Sequence, residues 1–419
     1  MDKSSEFITE EIILKAINSK GVIKDFKVEN LCGEGENYAA DIKNVIVDFT
    51  DEASKAERKV HMIFKYPNKT SFMYGNVKLL NGYQKEVISY GILAADIHNW
   101  QKEFFGEVKY VMPIPDCFYA NEETQLVVIE NLKVKEYKML PRQSGRSFEE
   151  CALVMKTLAI FHALLHSYSK SFESEHAFFE RYPCYKMSFE QWENFFGNST
   201  MVDNRQNMFK TIIGSLRKNY PEDEQLLNDF HSHIQSTPYA KNSRYFYLDG
   251  DGVNIICHGD MWSNNVMFKK DENGEVVDAK LIDLQFVKYA TPAADLCHFI
   301  WVSGSMDVLN NHMNKLVEIY YDQFSSCLSD LKCAVPLSYD ELLEKFRSLY
   351  CVGLENACLA TAITFQSEEN SMTTESEDDN KDVMENLSIK MEKLVTNASE
   401  NVKTRMIELT RLAKQLNIF

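Results

Sequence analysis

Residues 255–268 read Ile255-Ile256-Cys257-His258-Gly259-Asp260-Met261-Trp262-Ser263-Asn264-Asn265-Val266-Met267-Phe268, a dense polar cluster set between two short apolar runs. A catalytic loop between two strands reads this way. Asn265 stands at the fifth position after Asp260, and a second apolar strand pattern, residues 276–284, presents Asp283 between Ile282 and Leu284. Three oxygen-bearing side chains are therefore expected at the ends of buried strands. Phosphoryl transfer from ATP needs such a set: a carboxylate to orient the attacking hydroxyl and accept its proton, plus an amide and a carboxylate to hold Mg²⁺ on the phosphates. Asp260, Asn265 and Asp283 take those roles in that order, which makes Asn265 and Asp283 the candidate metal ligands. An ordinary aspartate titrates near ~3.9, far below an alcohol, so early proton abstraction is inefficient. Asp260 is accordingly assigned mainly to alignment, with proton acceptance late along a loose transition state. The competing structural reading is a polar hairpin loop whose Asp and Asn merely cap backbone groups.

The whole string is more specific than any pair within it. His258-Gly259-Asp260 with Asn265, followed by Ile282-Asp283-Leu284-Gln285, resembles the catalytic and metal-binding segments of the choline-kinase and aminoglycoside-phosphotransferase branch of the protein-kinase-like fold. Within that branch, His-Gly-Asp-x-Trp-x-Asn-Asn-x-Met-Phe is most similar to the insect ecdysteroid-kinase-like family. The resemblance covers most of the chain, roughly residues 20–365. It implies an α+β, two-lobed fold: a small antiparallel β N-lobe with one main helix, and a larger, mostly helical C-lobe. The implied domains are an N-lobe at 1–132, a hinge and linker at 133–146, and a C-lobe at 147–419.

The chain has 419 residues, 45% of them hydrophobic, enough to fill more than one core. With 62 acidic against 45 basic side chains the formal charge is −17, which argues against a nucleic-acid partner. The ten cysteines include no C-x-x-C pair and several fall inside apolar runs, so buried thiols in a reducing cytosol fit better than zinc or disulfides. No apolar run reaches the roughly 20 residues needed to span a bilayer, and the N-terminus opens on an amphipathic pattern. A cytoplasmic protein with no membrane span is expected.

In chain order, helical spacing marks residues 5–20, with Gly21 as a stop. Next, Gly33 and Gly35 lie in a turn between two strand patterns, where backbone N–H groups can approach phosphates unhindered by side chains. An ordinary hairpin turn is the bland alternative. The family resemblance favours the phosphate loop and adds Asn37, because Gly35-Glu36-Asn37-Tyr38 is similar to the family's Gly-x-Asn-Tyr segment. A third strand pattern, Val60 to Pro67, contains Lys65 in an apolar run. A buried ammonium is costly unless paired, so Lys65 should meet an anion; the alternative is a strand-end lysine snorkelling to solvent. In a kinase that lysine contacts the α/β-phosphates and is held by a helical glutamate, and Glu86, in the helical pattern at 77–97, is best placed. A hairpin over 116–121 and 125–132 completes five strands. Glu130-Asn131-Leu132 then stands where a kinase hinge would run, and the backbone at Glu130 and Leu132 is assigned to adenine by position.

Ser147 with Glu150 opens a core helix to about residue 167. His162 and His166 lie one turn apart on it, the spacing of a metal pair, but hard Mg²⁺ prefers oxygen and no third ligand is near in sequence. Residues 170–250 are helical and rich in aromatics, which either form ordinary core or line a pocket for a rigid apolar substrate. Asp295, at the head of a helix, accepts hydrogen bonds from the catalytic loop or caps its own helix. Residues 367–382 are acidic with almost no apolar side chains and read as a mobile loop; a final helix spans about 383–416.

These patterns point to an ATP- and Mg²⁺-dependent phosphotransferase acting on an alcohol. The resemblance adds the substrate class, an ecdysteroid or a similar lipophilic steroid or xenobiotic. The rivals are a choline/ethanolamine-type kinase, which needs a carboxylate-plus-aromatic cage, and a ligand-binding pseudokinase without turnover. Intact Asp260, Asn265 and Asp283 weigh against the second, since binding alone needs none of them.

Overall fold

Apolar side chains recurring at every second residue build the first half of the molecule. They do so in a computed structural model that describes residues 6–18, 21–30, 40–71, 73–141, 144–194, 199–236, 252–364, 393 and 396–419. In chain order its elements begin with α1 (Glu10–Ala16), β1 (Val22–Asn30), β2 (Ala40–Thr50), β3 (Glu57–Pro67) and α2 (Tyr74–Leu79). They continue with α3 (Gly82–Ile88), α4 (Ala94–Phe105), β4 (Cys117–Asn121), β5 (Leu126–Glu130), α5 (Phe148–Lys170), α6 (Glu175–Arg181) and α7 (Phe189–Trp192). Next come α8 (Ser199–Asn219), α9 (Glu224–Ser236), β6 (Ile255–Cys257), β7 (Val266–Lys270), β8 (Val276–Leu281) and β9 (Lys288–Ala290). The last are α10 (Pro292–Ser303), α11 (Met306–Asn311), α12 (Met313–Asp330), α13 (Tyr339–Ser348), α14 (Tyr350–Thr364) and α15 (Glu400–Gln415). The class is α+β and kinase-like, as the sequence implies.

The chain divides into two compact units, Met1–Lys138 with Met267–Phe286, and Met139–Val266 with Val287–Phe419. In the first, β1 to β5 form one antiparallel sheet in the order β1-β2-β3-β5-β4. Val45, Val47 and Phe49, then Met62, Phe64 and Tyr66, then Leu126 and Val128 alternate onto one face, where Ile8, Ile13 and Ala16 of the α1 region join them in a core. Alternation sends Ile63 and Lys65 to the opposite face. The main helix of this unit runs over residues 82–105, with a π-helical stretch at Ser89–Leu93 between α3 and α4. It starts later than the spacing over 77–97 predicts because Asn81 adopts a left-handed conformation (φ 57°), which ends α2. Gly91, inside the π turn, lets β4 approach: a Cβ there would lie 2.4 Å from Ala120 Cβ.

The sequence reading keeps all of 147–419 in one lobe, and here the structure differs. The β7–β8 ribbon packs with the N-terminal unit, because Lys138 and Phe268 exchange both backbone hydrogen bonds, at 2.8 and 2.9 Å, and the Leu281 N–H donates to Pro113 O at 2.8 Å. Tyr137 OH also bonds Asp278. Asp283 therefore belongs to the same unit as Lys65.

In the second unit, α5 opens on the expected capping box, Ser147 with Glu150. Its buried face, Cys151, Val154, Met155, Leu158, Phe161 and Leu165, packs on α12, while α10 packs on α14 and α14 on α15. The aromatics Phe178 and Tyr182 are buried against Tyr168 and Phe172, buried Tyr185 lies against Tyr182, and together they form ordinary core. The acidic stretch 367–382 and residues 383–392 lie outside the described residues, and the final helix is shorter than the expected 383–416: it starts at Glu400, after Ser399 in an extended conformation. Among the described residues, no helix is long and apolar enough to cross a membrane.

Candidate active site

Lys65 is 7% exposed, and its Nζ lies 2.7 Å from Glu86 Oε1 and 2.9 Å from Asp283 Oδ1. Strand alternation aims the lysine away from the α1 core, and α3 supplies the glutamate. Gln285 Nε2 donates to the other Glu86 oxygen at 3.1 Å, so that carboxylate is held on both sides. Burial would pull the Lys65 ammonium down, but Asp283 and Glu86 outweigh it and hold it above its usual range. Burial and the neighbouring Asp283 charge push Glu86 up, against the pull of Lys65. Asp283 itself has a left-handed backbone (φ 64°). That conformation costs a non-glycine residue on the order of 1 kcal/mol, and such strain collects at functional sites. Its side chain is one-third exposed, with one oxygen on Lys65.

The second group belongs to the other unit. Gly259 takes φ 87° between His258 and Asp260, a conformation that only glycine adopts without cost, and it turns the chain so that Asp260 follows buried His258 toward the surface. Asn265 donates both amide hydrogens to Asp260, to its carbonyl oxygen at 2.8 Å and to Oδ2 at 2.9 Å. Committing the nitrogen in this way leaves the amide oxygen as the atom Asn265 has to offer a cation. Beneath the loop, Asp295 accepts from the His258 N–H at 2.6 Å, the Gly259 N–H at 2.9 Å and His162 Nε2 at 3.1 Å. Of the two readings of Asp295, the loop-supporting one is what the geometry contains. His162 commits its second nitrogen to Tyr320 OH at 2.9 Å, so it does not pair with His166 around a metal.

Asp295 yields a pH prediction. Burial would raise its carboxyl, yet the His162 hydrogen bond and the charges of His162, His258 and Lys288 hold it down to about 2, from an ordinary 3.8. A carboxylate depressed in the fold stabilises it above the unfolded value, and that contribution is lost as pH falls from about 4 toward about 2. The amount is on the order of 2 kcal/mol. Asp295→Ala should cost about 3–5 kcal/mol at neutral pH, because buried donors lose their acceptor. It should also flatten the acid limb of stability; urea midpoints at pH 6 and pH 3 measure both effects, and an unchanged acid limb would refute this role.

Gly33, Gly35 and Asn37 lie outside the described residues. At the expected hinge, the Glu130 N–H donates to Asp116 O at 2.9 Å and the Leu132 carbonyl accepts from Tyr137 N–H at 3.2 Å, so both groups are engaged within the unit. The Leu132 side chain packs with Tyr137, Met267 and Ile282. Sequence reasoning missed two residues. Gln285 braces Glu86, and Lys288, 1% exposed across β6–β9 from Cys257, stands among Asp295, Cys257 and Asp260. Burial pulls its ammonium down to about 8 against those three groups. The signal was available: Lys288 interrupts an apolar run just as Lys65 does.

A search of curated proteins finds no match. Among solved structures, a glucosamine kinase in complex with glucosamine, ADP and inorganic phosphate matches with a TM-score of 0.27 and 9% identity, over 82% of this chain and 93% of that one. So loose a likeness carries no argument. The sequence model of the ecdysteroid kinase-like family, in contrast, matches residues 34–333, a span that contains Lys65, Glu86, Asp260, Asn265, Asp283 and Asp295. With a match over most of its length, the chain belongs to the ecdysteroid kinase-like family, and its class is that of a small-molecule phosphotransferase.

Proposed function

We propose that the protein is an ATP- and Mg²⁺-dependent kinase that transfers the γ-phosphoryl group to the hydroxyl of a lipophilic alcohol, an ecdysteroid or a similar steroid or xenobiotic. One observation carries the reading: a buried lysine held at hydrogen-bond distance by both Glu86 and Asp283. Apolar side chains of similar volume would serve a core as well or better, so a buried ion cluster needs another reason to be there. Binding phosphate is that reason.

The donor set suits the nucleotide and its metal. Asp283 and Asn265 each offer a hard oxygen, the kind Mg²⁺ takes. Lys65 offers a fixed ammonium to phosphate, with Glu86 and Gln285 keeping it in place. Gly33, Gly35 and Asn37 would supply phosphate-facing groups, and adenine would meet the backbone at Glu130 and Leu132 through groups other than the Glu130 N–H and the Leu132 carbonyl, which are bonded within the unit. When bound, Mg-ATP supplies the phosphoryl group and the divalent charge that offsets it. Asp260 orients the acceptor hydroxyl and takes its proton late, and Asn265 keeps the Asp260 carboxylate in one orientation. The protein would act in the cytoplasm on small molecules, without a nucleic-acid partner.

The test is transfer of labelled γ-phosphate from Mg-ATP to a panel of ecdysteroids, other steroids, plant toxins, choline and ethanolamine. Transfer to an ecdysteroid or another lipophilic alcohol is the expected result. Preference for choline would move the chain to the aminoalcohol kinases. Binding of Mg-ATP at ~100 Kd should stabilise the fold by about 2.7 kcal/mol. That shift without transfer to any acceptor would overturn the enzyme reading in favour of a binding protein.

A further inference from the structure

The helices of the C-terminal unit bring together a second set of ligating atoms, one that phosphoryl transfer does not use. His233 comes from α9, and Cys351 and Glu355 lie one turn apart on α14. His233 Nε2 lies 3.1 Å from Cys351 Sγ, Cys351 Sγ lies 3.9 Å from Glu355 Oε1, and the three ligand atoms all fall within 4.8 Å of one another. A tetrahedral zinc ion, with bonds of ~2.3 Å to sulfur and ~2.0 Å to nitrogen or oxygen, sets its ligand atoms about 3.3–3.5 Å apart. The two measured separations bracket that value. The carboxylate is also pre-oriented: Arg205 Nε donates to Glu355 Oε2 at 3.1 Å, which leaves Oε1 as the oxygen that faces Cys351. Arg205 is in turn braced by Asn356 Oδ1 at 3.2 Å.

We propose that His233, Cys351 and Glu355 form a binding site for one zinc ion, which ties α9 to α14. The residue types are those of zinc sites, a soft sulfur, an imidazole and a carboxylate, and a ligating carboxylate is characteristically held by a further hydrogen bond such as the one from Arg205. On binding, the Cys351 thiol loses its proton to solvent and its sulfur bonds the metal, His233 bonds through the Nε2 lone pair with its proton on Nδ1, and Glu355 bonds through Oε1. No electron moves. His233 and Cys351 are only partly buried, so the fourth position is open to water. The other His-Cys-Asp grouping, His162, Cys257 and Asp295, is a poorer candidate because the Asp295 oxygens already hold the His258 and Gly259 N–H groups.

The experiment takes the full chain, strips it with chelator, equilibrates it with buffered zinc and counts metal per chain by mass spectrometry. Cobalt substitution then reports thiolate bonding through a sulfur-to-metal charge-transfer band. One zinc per chain and a thiolate band are expected, with both lost in Cys351→Ser and His233→Gln. Arg205→Met should weaken zinc about 10- to 100-fold. His176→Gln, which removes an exposed histidine paired with Glu180, should change nothing. Should the site variants fail to fold, alkylation of Cys351 in the wild-type chain decides the matter: zinc at about ten times its Kd should slow it about tenfold. Less than stoichiometric zinc, no thiolate band, wild-type zinc binding by the variants, or alkylation indifferent to zinc would each overturn the site and leave a plain His–Cys hydrogen bond beside an Arg–Glu ion pair.

Discussion

Asp283→Ala should lower phosphoryl transfer by about a thousandfold or more while the fold persists. Losing a metal ligand on the transferring phosphate forfeits several kcal/mol of transition-state stabilisation, and each 1.4 kcal/mol is about tenfold in rate. The stability effect should be much smaller. Lys65 keeps Glu86 at 2.7 Å as its counter-charge, and Glu86 keeps Gln285, so no buried ion is left without a partner. The substitution does place alanine at φ 64°, which costs on the order of 1 kcal/mol. Asp283→Asn separates the two effects, since asparagine tolerates that backbone and keeps the side chain's shape while losing the charge. Single-turnover transfer at increasing Mg²⁺, read beside thermal unfolding, measures both. Near wild-type transfer in Asp283→Asn and Asp283→Ala at ordinary Mg²⁺ would end the assignment of Asp283 to the metal.

In the Lys65–Glu86–Asp283 cluster, Lys65 and Asp283 were legible because each breaks a local pattern, whereas Glu86 was placed only by its position on the following helix. A lysine in a strand that is otherwise apolar, and an aspartate between Ile282 and Leu284, must both answer a charge, and period-two alternation decides the face on which they do so. Partners that break no pattern stayed hidden. Gln285 follows Asp283 as a neutral residue, and only the packing of the 284–286 turn against α3 shows that its amide braces Glu86. Asp295 was read correctly as an acid at a helix head, but its choice between capping α10 and holding the catalytic loop depends on a separation of 36 residues that no local pattern encodes. The unit boundary was misjudged for a similar reason. The β7–β8 ribbon looks local in sequence, whereas its membership of the N-terminal unit rests on backbone bonds to Lys138 and Pro113, residues far upstream. The π turn at Ser89–Leu93 left no hydrophobic signature either, because Gly91 acts through what it lacks.

Asp260→Asn should separate chemistry from nucleotide binding. Positioned acid–base groups contribute about 10²- to 10⁴-fold, so the turnover number should fall by that factor. Geometry gives little reason for a larger loss, since an asparagine at 260 still has an oxygen able to accept from Asn265 Nδ2, where Asp260 Oδ2 accepts now at 2.9 Å. What disappears is the negative charge that, in the proposed role, would align the acceptor hydroxyl and take its proton. Nucleotide affinity should change little, because the groups assigned to phosphate, Lys65 with Glu86 and Asp283, hold one another in place within their own unit. The thermal shift given by Mg-ATP should therefore survive in the variant at about 2.7 kcal/mol for ~100 Kd of ligand. Asp260→Ala goes further, since it removes one of the two bonds that fix the Asn265 amide, the one to Oδ2, and leaves only the one to the backbone carbonyl of residue 260; it should lose some nucleotide affinity as well as rate if Asn265 offers its oxygen to the metal. A variant Asp260→Asn with full turnover would remove Asp260 from the chemistry, and one that loses the Mg-ATP shift would make it a nucleotide ligand instead.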